Sequence, residues 1–167
     1  MRTVLVVASI AAMACGGLTA CSSEATADVV VGDCLQRGGP VDRPEATKAD
    51  CGTPASNFKV VDVISGSADG ADHCPADIDS FYSMRGSFSD SRTTLCLDID
   101  WVVGGCMSID PENGRDPIRA GCPDTSLPGR QRATQILENV ANADQCASGV
   151  GYAYQERNFT VCVDHVA

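Results

Sequence analysis

The sequence predicts an α+β fold of two small disulfide-stapled modules, mainly antiparallel strands with one short helix in the first module. Three observations point there. Eight cysteines (Cys34, Cys51, Cys74, Cys96, Cys106, Cys122, Cys146 and Cys162) follow an export-type N-terminus. Their steps nearly repeat, at 17, 23 and 22 residues in the first half against 16, 24 and 16 in the second. Several runs around them alternate between apolar and polar residues at the period of a strand.

Residues 1–20 read as a signal segment outside the fold. Arg2 is the only charge before Glu24, and "TVLVVASIAAM" has the length of a signal-peptide apolar region. Extended to Ala20 the run reaches the lower limit for a membrane-spanning helix, but Gly16 and Gly17 weaken a helix there. The decisive stretch is Leu18-Thr19-Ala20-Cys21, which resembles the bacterial lipobox: an aliphatic residue, two small ones, then cysteine. A protease must seat an extended backbone at this point, so the residues before the cut have to be small. The Cys21 thiol must be free to take a diacylglyceryl group. Ala12-Met13-Ala14-Cys15 lacks the aliphatic residue and lies inside the apolar run. Ordinary secretion, with cleavage after Ala14 or Ala20, is the alternative.

One acyl chain holds a protein to a bilayer only reversibly, whereas two or more on one residue anchor it stably. Residues 21–28 are therefore expected to be the lipidated N-terminus and a short polar tether, "SSEATAD" after Cys21. The expected location is the extracytoplasmic side of the cell membrane.

An even set of cysteines in an exported chain reads as a disulfide framework. Cys15 leaves with the signal and Cys21 takes the lipid, so none of the eight is left over. The flanking residues repeat as well. "VVVGDCL" matches "WVVGGCM", "KADCGTPASNFKVVDVI" matches "RAGCPDTSLPGRQRATQIL", "SADGADHCP" matches "VANADQCAS", and "RTTLCLDI" matches "NFTVCVDH". Four cysteines in order with local similarity at each mark a duplication, with modules at about 29–97 and 102–165. Modules this small bury too little apolar surface to be stable without staples. Four cysteines allow three pairings per module; neighbour pairing is favoured, Cys34–Cys51, Cys74–Cys96, Cys106–Cys122 and Cys146–Cys162.

Element by element, 29–35 is a β-rich run leading into a loop, "QRGGPVDRPEAT", and 58–64 is a strand ending at the glycine-rich "SGSADGAD". Cys74-Pro75 is expected to open the helix, with Ile78, Phe81, Tyr82 and Arg85 on one face and Gly86 as its stop. Residues 94–103 alternate, with Leu95, Leu97, Ile99, Trp101 and Val103 on one face and Cys96, Asp98 and Asp100 on the other. Segment 130–141 has helical propensity, yet the repeat aligns it with a strand, and the repeat is followed. "GYAYQERNFTVCV" reads as a hairpin that replaces the helix in the second copy.

Charge narrows the function. With Arg2 removed, 11 basic residues face 22 acidic ones, a formal charge of −11. Such a chain is repelled by phosphate backbones, so nucleic-acid binding is not expected. No cofactor or metal is expected either. There is no C-x2-C pair, and His73 and His165 lack ligand partners at suitable spacing. No Gly-x-Ser-x-Gly elbow is present. Two strand carboxylates, Asp98 and Asp100, are the one arrangement suited to glycosidase-like acid–base work, against the plainer reading of a polar strand face. Trp101, Tyr82, Tyr152 and Tyr154 are read as core or partly buried residues rather than an aromatic binding patch.

The quoted repeats, with "DHCPADIDSFYSMR", "TLCLDIDWVVGGCMSID", "QRATQILENV" and "GYAYQERNFTVCV", resemble the LppU family of actinobacterial envelope lipoproteins over nearly the whole mature chain. The resemblance implies a mycobacterial-type envelope and lipid attachment at Cys21. It implies no catalytic residues. The expected function is a non-catalytic binding or assembly module, tethered to the membrane and meeting an envelope protein or glycan. A hydrolase of envelope glycans or lipids, and a lipid or glycolipid carrier, are the alternatives.

Overall fold

The computed structural model describes residues 28–40, 42–66, 70–85, 92–110, 112 and 114–166. The lipobox, Cys21 and the tether up to residue 27 lie outside the described residues. Among those described, no helix is long and apolar enough to cross a membrane.

Five strands, β1 (Cys34–Gly38), β2 (Glu45–Ala49), β3 (Phe58–Gly66), β4 (Ser80–Arg85) and β5 (Arg92–Ile99), form a sheet of order β2-β1-β3-β5-β4. Five more follow: β6 (Cys106–Ser108), β7 (Ile118–Ala120), β8 (Arg130–Glu138), β9 (Gly151–Tyr154) and β10 (Phe159–His165). Their order, β7-β6-β8-β10-β9, traces the same path a second time. All pairings are antiparallel.

The duplication extends to irregular features. In the first sheet the β3–β5 register slips between Val60 and Asp62, opposite Leu97 and Cys96. In the second, the β8–β10 register slips opposite Val163 and Cys162. Each bulge therefore lies beside a disulfide cysteine, where it twists the central strand pair. The "VVVGD" and "WVVGG" segments are also one turn used twice. Asp33 N donates to Val30 O (3.1 Å) and Gly105 N to Val102 O (2.8 Å), while Gly32 N reaches Val60 O and Gly104 N reaches Ala133 O. Gly32 and Gly104 sit at φ +95° and +86°, a region that the turn requires and a side chain disfavours.

All four disulfides join sequence neighbours: Cys34–Cys51, Cys74–Cys96, Cys106–Cys122 and Cys146–Cys162. The first bond of each copy ties the start of its first strand to the loop after its second. The other ties a short 3-10 turn, Gly70–His73 or Ala143–Gln145, to the interior strand β5 or β10.

Several expectations are corrected. The helix opened by Cys74-Pro75 does not form, and among the described residues the fold is β-sheet with two 3-10 turns. Residues 80–85 pair with β5 instead, alternating half-buried Ser80, Tyr82 and Met84 with exposed Phe81, Ser83 and Arg85. An isolated helix of this length is marginal. The open edge of β5 offers this aromatic segment a full set of backbone partners, so sheet pairing wins. Strand β1 starts at Cys34 rather than 29, and part of the expected loop zips into a β1–β2 hairpin. Strand β5 stops at Ile99, where Trp101 N donates to Ile99 O (2.8 Å) and turns the chain, so Trp101 and Val103 lie outside the strand. The strands expected at 58–64 and 130–141 form as Phe58–Gly66 and Arg130–Glu138, and the second hairpin forms.

The two sheets share their apolar interior. Met107 of β6 packs with Leu35, Phe58, Leu95 and Leu97 of the first sheet, and Trp101 packs against both this cluster and that of Ala133, Tyr154, Val161 and Val163. The second copy thus completes the core of the first.

Gly129, just before β8, is the tightest backbone approach. It adopts φ +58°, and a Cβ there would lie 2.1 Å from Ile109 O. Gly129→Ala is expected to lower stability by more than about 2 kcal/mol in denaturant unfolding, because left-handed strain and a backbone clash add.

Candidate functional site: a cleft between the repeats

One cation at the junction, Arg157, comes from the second hairpin. Tyr154 and Phe159 are directly opposed across β9 and β10 and stack with ring centroids 4.4 Å apart. Arg157, in the turn between them, lays its guanidinium over both rings, 4.8 Å from the Tyr154 centroid and 5.5 Å from that of Phe159. From this platform it reaches the first copy, pairing with Asp98 of β5 and with Asp77 Oδ1 (3.2 Å). The same hairpin adds Tyr154 Oη donating to Asp79 Oδ2 (2.7 Å) and Glu156 N donating to Asp77 Oδ2 (2.9 Å).

A second polar clasp holds the junction elsewhere. Asp100 Oδ2 accepts from Gly52 N (2.6 Å), Ser56 Oγ (2.6 Å) and Arg119 Nη2 (2.8 Å). Arg119 Nε also donates to Ser56 O (3.1 Å). Asp98 and Asp100 therefore have separate tasks: each is buried, and each is paired with a different arginine of the second copy. The polar strand face read from the sequence is thus buried against the second copy. Asp100 also approaches the Cys34–Cys51 sulfurs, the one group among the described residues with metal-binding proximity, but both sulfurs are committed to the disulfide.

Between the copies opens a cleft of about 540 Å3. Val60, Ile99, Ile136, Phe159 and Val161 supply apolar walls, while Asp98, Trp101, Arg157, Lys59 and Glu138 bring polar or charged groups. Two polar atoms of lining residues, Asp98 Oδ1 and Trp101 Nε1, are buried from solvent with no hydrogen-bond partner of good geometry. The Trp101 indole is near enough to act on the Tyr154 hydroxyl, yet it forms no hydrogen bond of good geometry. Burial and the neighbouring Asp79 carboxylate hold the Tyr154 hydroxyl in its protonated form. Burial, outweighing the attraction of Arg157, pushes the Asp98 carboxyl up to about 6.

That shift has a stability consequence. Asp98 holds a proton in the folded state at a pH where the unfolded chain, with a carboxyl near about 4, has released it. Folding is therefore favoured as pH falls through the folded value, and the gain is complete below the unfolded one. A higher melting temperature near pH 5 than near pH 7.5 is expected, with a smaller difference in Asp98→Asn, which mimics the protonated group.

His73 and His165 are exposed, and neither lines this cleft. Tyr154 is buried, while Trp101, Tyr82 and Tyr152 are half-buried against the two clusters. Arg119 and Arg157 were not singled out by sequence reasoning. The available signal was an arginine in a tight turn flanked by two aromatics, "YQERNF". No protein-family model, curated protein or solved structure matches this chain.

Proposed function

We propose that this chain is a lipid-anchored envelope protein of the LppU kind that acts as a non-catalytic binding or assembly module on the extracytoplasmic face of the membrane, with the cleft between its repeats as the binding site. The observation that carries this reading is the cleft itself, about 540 Å3, with Ile99, Ile136 and Phe159 as apolar walls and Lys59, Glu138 and Arg157 as charged groups on its lining. Concave, largely apolar surface carrying a few polar groups is the usual form of a ligand site. The anchor is supported by cysteine bookkeeping: all eight sulfurs beyond Cys21 pair with one another, leaving Cys21 for lipid after Leu18-Thr19-Ala20 is cut away.

Intact mass of the protein recovered from membranes tests the anchor. The expected mass is that of residues 21–167 with acyl chains on Cys21 and eight oxidised sulfurs. A chain that begins elsewhere, or carries no lipid, contradicts it. The raised Asp98 carboxyl is the one feature that favours the hydrolase alternative. Against it, Asp100 Oδ2 is already taken by three donors. Turnover of envelope glycans or lipids that is abolished by both Asp98→Asn and Asp100→Asn would establish it. The carrier reading gains from the apolar walls, and a lipid co-purifying in stoichiometric amount is its test.

A further inference from the structure

We propose that the valine turns of the two copies, Val30-Val31 and Val102-Val103, form one apolar patch that lies against the lipid bilayer holding the chain's anchor. This deepens the lipid-anchored reading and rests on it. Among the described residues seven large apolar side chains are exposed, and four of them are these valines, at 60%, 59%, 39% and 54% in chain order. The turn does not require them. It needs glycine at Gly32 and Gly104, where φ is positive, while the two positions before each glycine suit polar residues or proline. Both copies nevertheless place valine at both.

The two turns flank one short segment, Cys51-Gly52. On one side Cys51 Sγ lies 3.7 Å from Gly32 O. On the other, a Cβ on Gly52 would lie 3.1 Å from Val102 Cγ2, and Gly52 N donates to Asp100 Oδ2 (2.6 Å) just before that turn. Exposed apolar side chains gathered in this way mark a protein or membrane contact. Chain length selects the membrane. Val30 is nine residues from Cys21, so the patch stays within about 30 Å of the acylated terminus. The tether thus holds the bilayer at a raised effective concentration. Four side chains also bury far less than the ~1,000 Å2 of a stable protein interface, whereas a surface already tethered needs only enough contact to set its orientation. Apolar groups seated at the headgroup boundary supply that contact. Val31 and Gly32 also line the cleft, so the docked patch turns the rim of the cleft toward lipid.

The test uses the acylated protein with labelled valine and isoleucine methyls, placed in phosphatidylcholine nanodiscs. This lipid is chosen because 11 basic against 22 acidic residues disfavour anionic headgroups. A nitroxide on the lipid acyl chain near the headgroup erases the nuclear magnetic resonance signals of methyls that touch the bilayer. The expected result is loss of the Val30, Val31, Val102 and Val103 signals, with Ile118 retained. Ile118 is comparably exposed but stands on β7, beside the separate cavity of Arg37 and Asp116. Val30→Asp combined with Val103→Asp should restore the signals of Val31 and Val102, because a carboxylate resists burial at the interface. Both replaced valines are more than half exposed, and unshifted methyls of the buried Val161 and Val163 report that the fold survives. If the double variant does not fold, Val30→Ser with Val103→Ser carries the same expectation.

Retention of the four valine signals, equal loss at Ile118, or undiminished loss in the double variant overturns the proposal. So does a loss that needs no nitroxide, which would put a second protein copy on the patch. Co-elution of protein and nanodisc separates the two levels. If the protein stays with the disc while the valines keep their signals, the patch is wrong and the anchor stands. If it leaves the disc, both fall.

Discussion

Replacing Cys74 and Cys96 together by alanine is expected to cost about 3 kcal/mol or more of unfolding free energy. The bond closes a loop with a sequence separation of 22 residues, and the constraint it places on the unfolded chain has that magnitude. Its loss is felt in the folded state too, because Cys96 is fully buried on β5, an interior strand of the first sheet. The bond also fixes the loop carrying Asp77 and Asp79, and both acids hold the second hairpin. Denaturant unfolding of the variant should therefore show a lower midpoint, together with weaker protection of the Tyr154 region in hydrogen exchange. A variant as stable as the parent would mean that the sheet, rather than the staple, sets the stability.

Arg157→Ala is expected to destabilise the protein by about 3 kcal/mol, the lower end of the range for breaking a buried pair. The lower end applies because the arginine side chain keeps 22% of its exposure and its partner Asp98 only 7%. The larger part of that cost lies in the carboxylate left behind, which becomes buried without a cation. Adding Asp98→Asn to Arg157→Ala should recover much of the loss, since the amide carries no charge to strand. Failure of the double variant to recover would place the cost instead in the lost stacking on Tyr154 and Phe159. A full double-mutant cycle measured by chemical denaturation separates the two.

What was legible in the sequence follows from what is local. Cysteine spacing and matching flanks showed the duplication, because each copy writes the same turn, strand and staple into the same order of residue types. The repeat also overruled helical propensity at 130–138, where pairing with β10 decides the structure. Residues 80–85 went the other way. Four residues at helical spacing suggested a face, but the matching segment of the second copy was already readable as a strand, and an open sheet edge on β5 was waiting for it.

The site was half visible. Asp98 and Asp100 stood out by alternation, but an alternating strand does not say what covers its polar side. Here the cover is Arg157 and Arg119, residues 59 and 19 positions away in the chain. Those contacts depend on how one sheet seats on the other, and no local pattern encodes that seating. Trp101 was grouped with the strand face, whereas the turn at Asp100 carries it to the junction, where it touches both clusters.

The most direct measurement is disulfide mapping, by peptide mass spectrometry without reductant, of protein purified from membranes. Four linked peptides are expected, joining Cys34 to Cys51, Cys74 to Cys96, Cys106 to Cys122 and Cys146 to Cys162, with no alkylated thiol among the eight. Links that cross from one copy to the other, or free thiols at several positions, would contradict a fold built by repeating one stapled sheet.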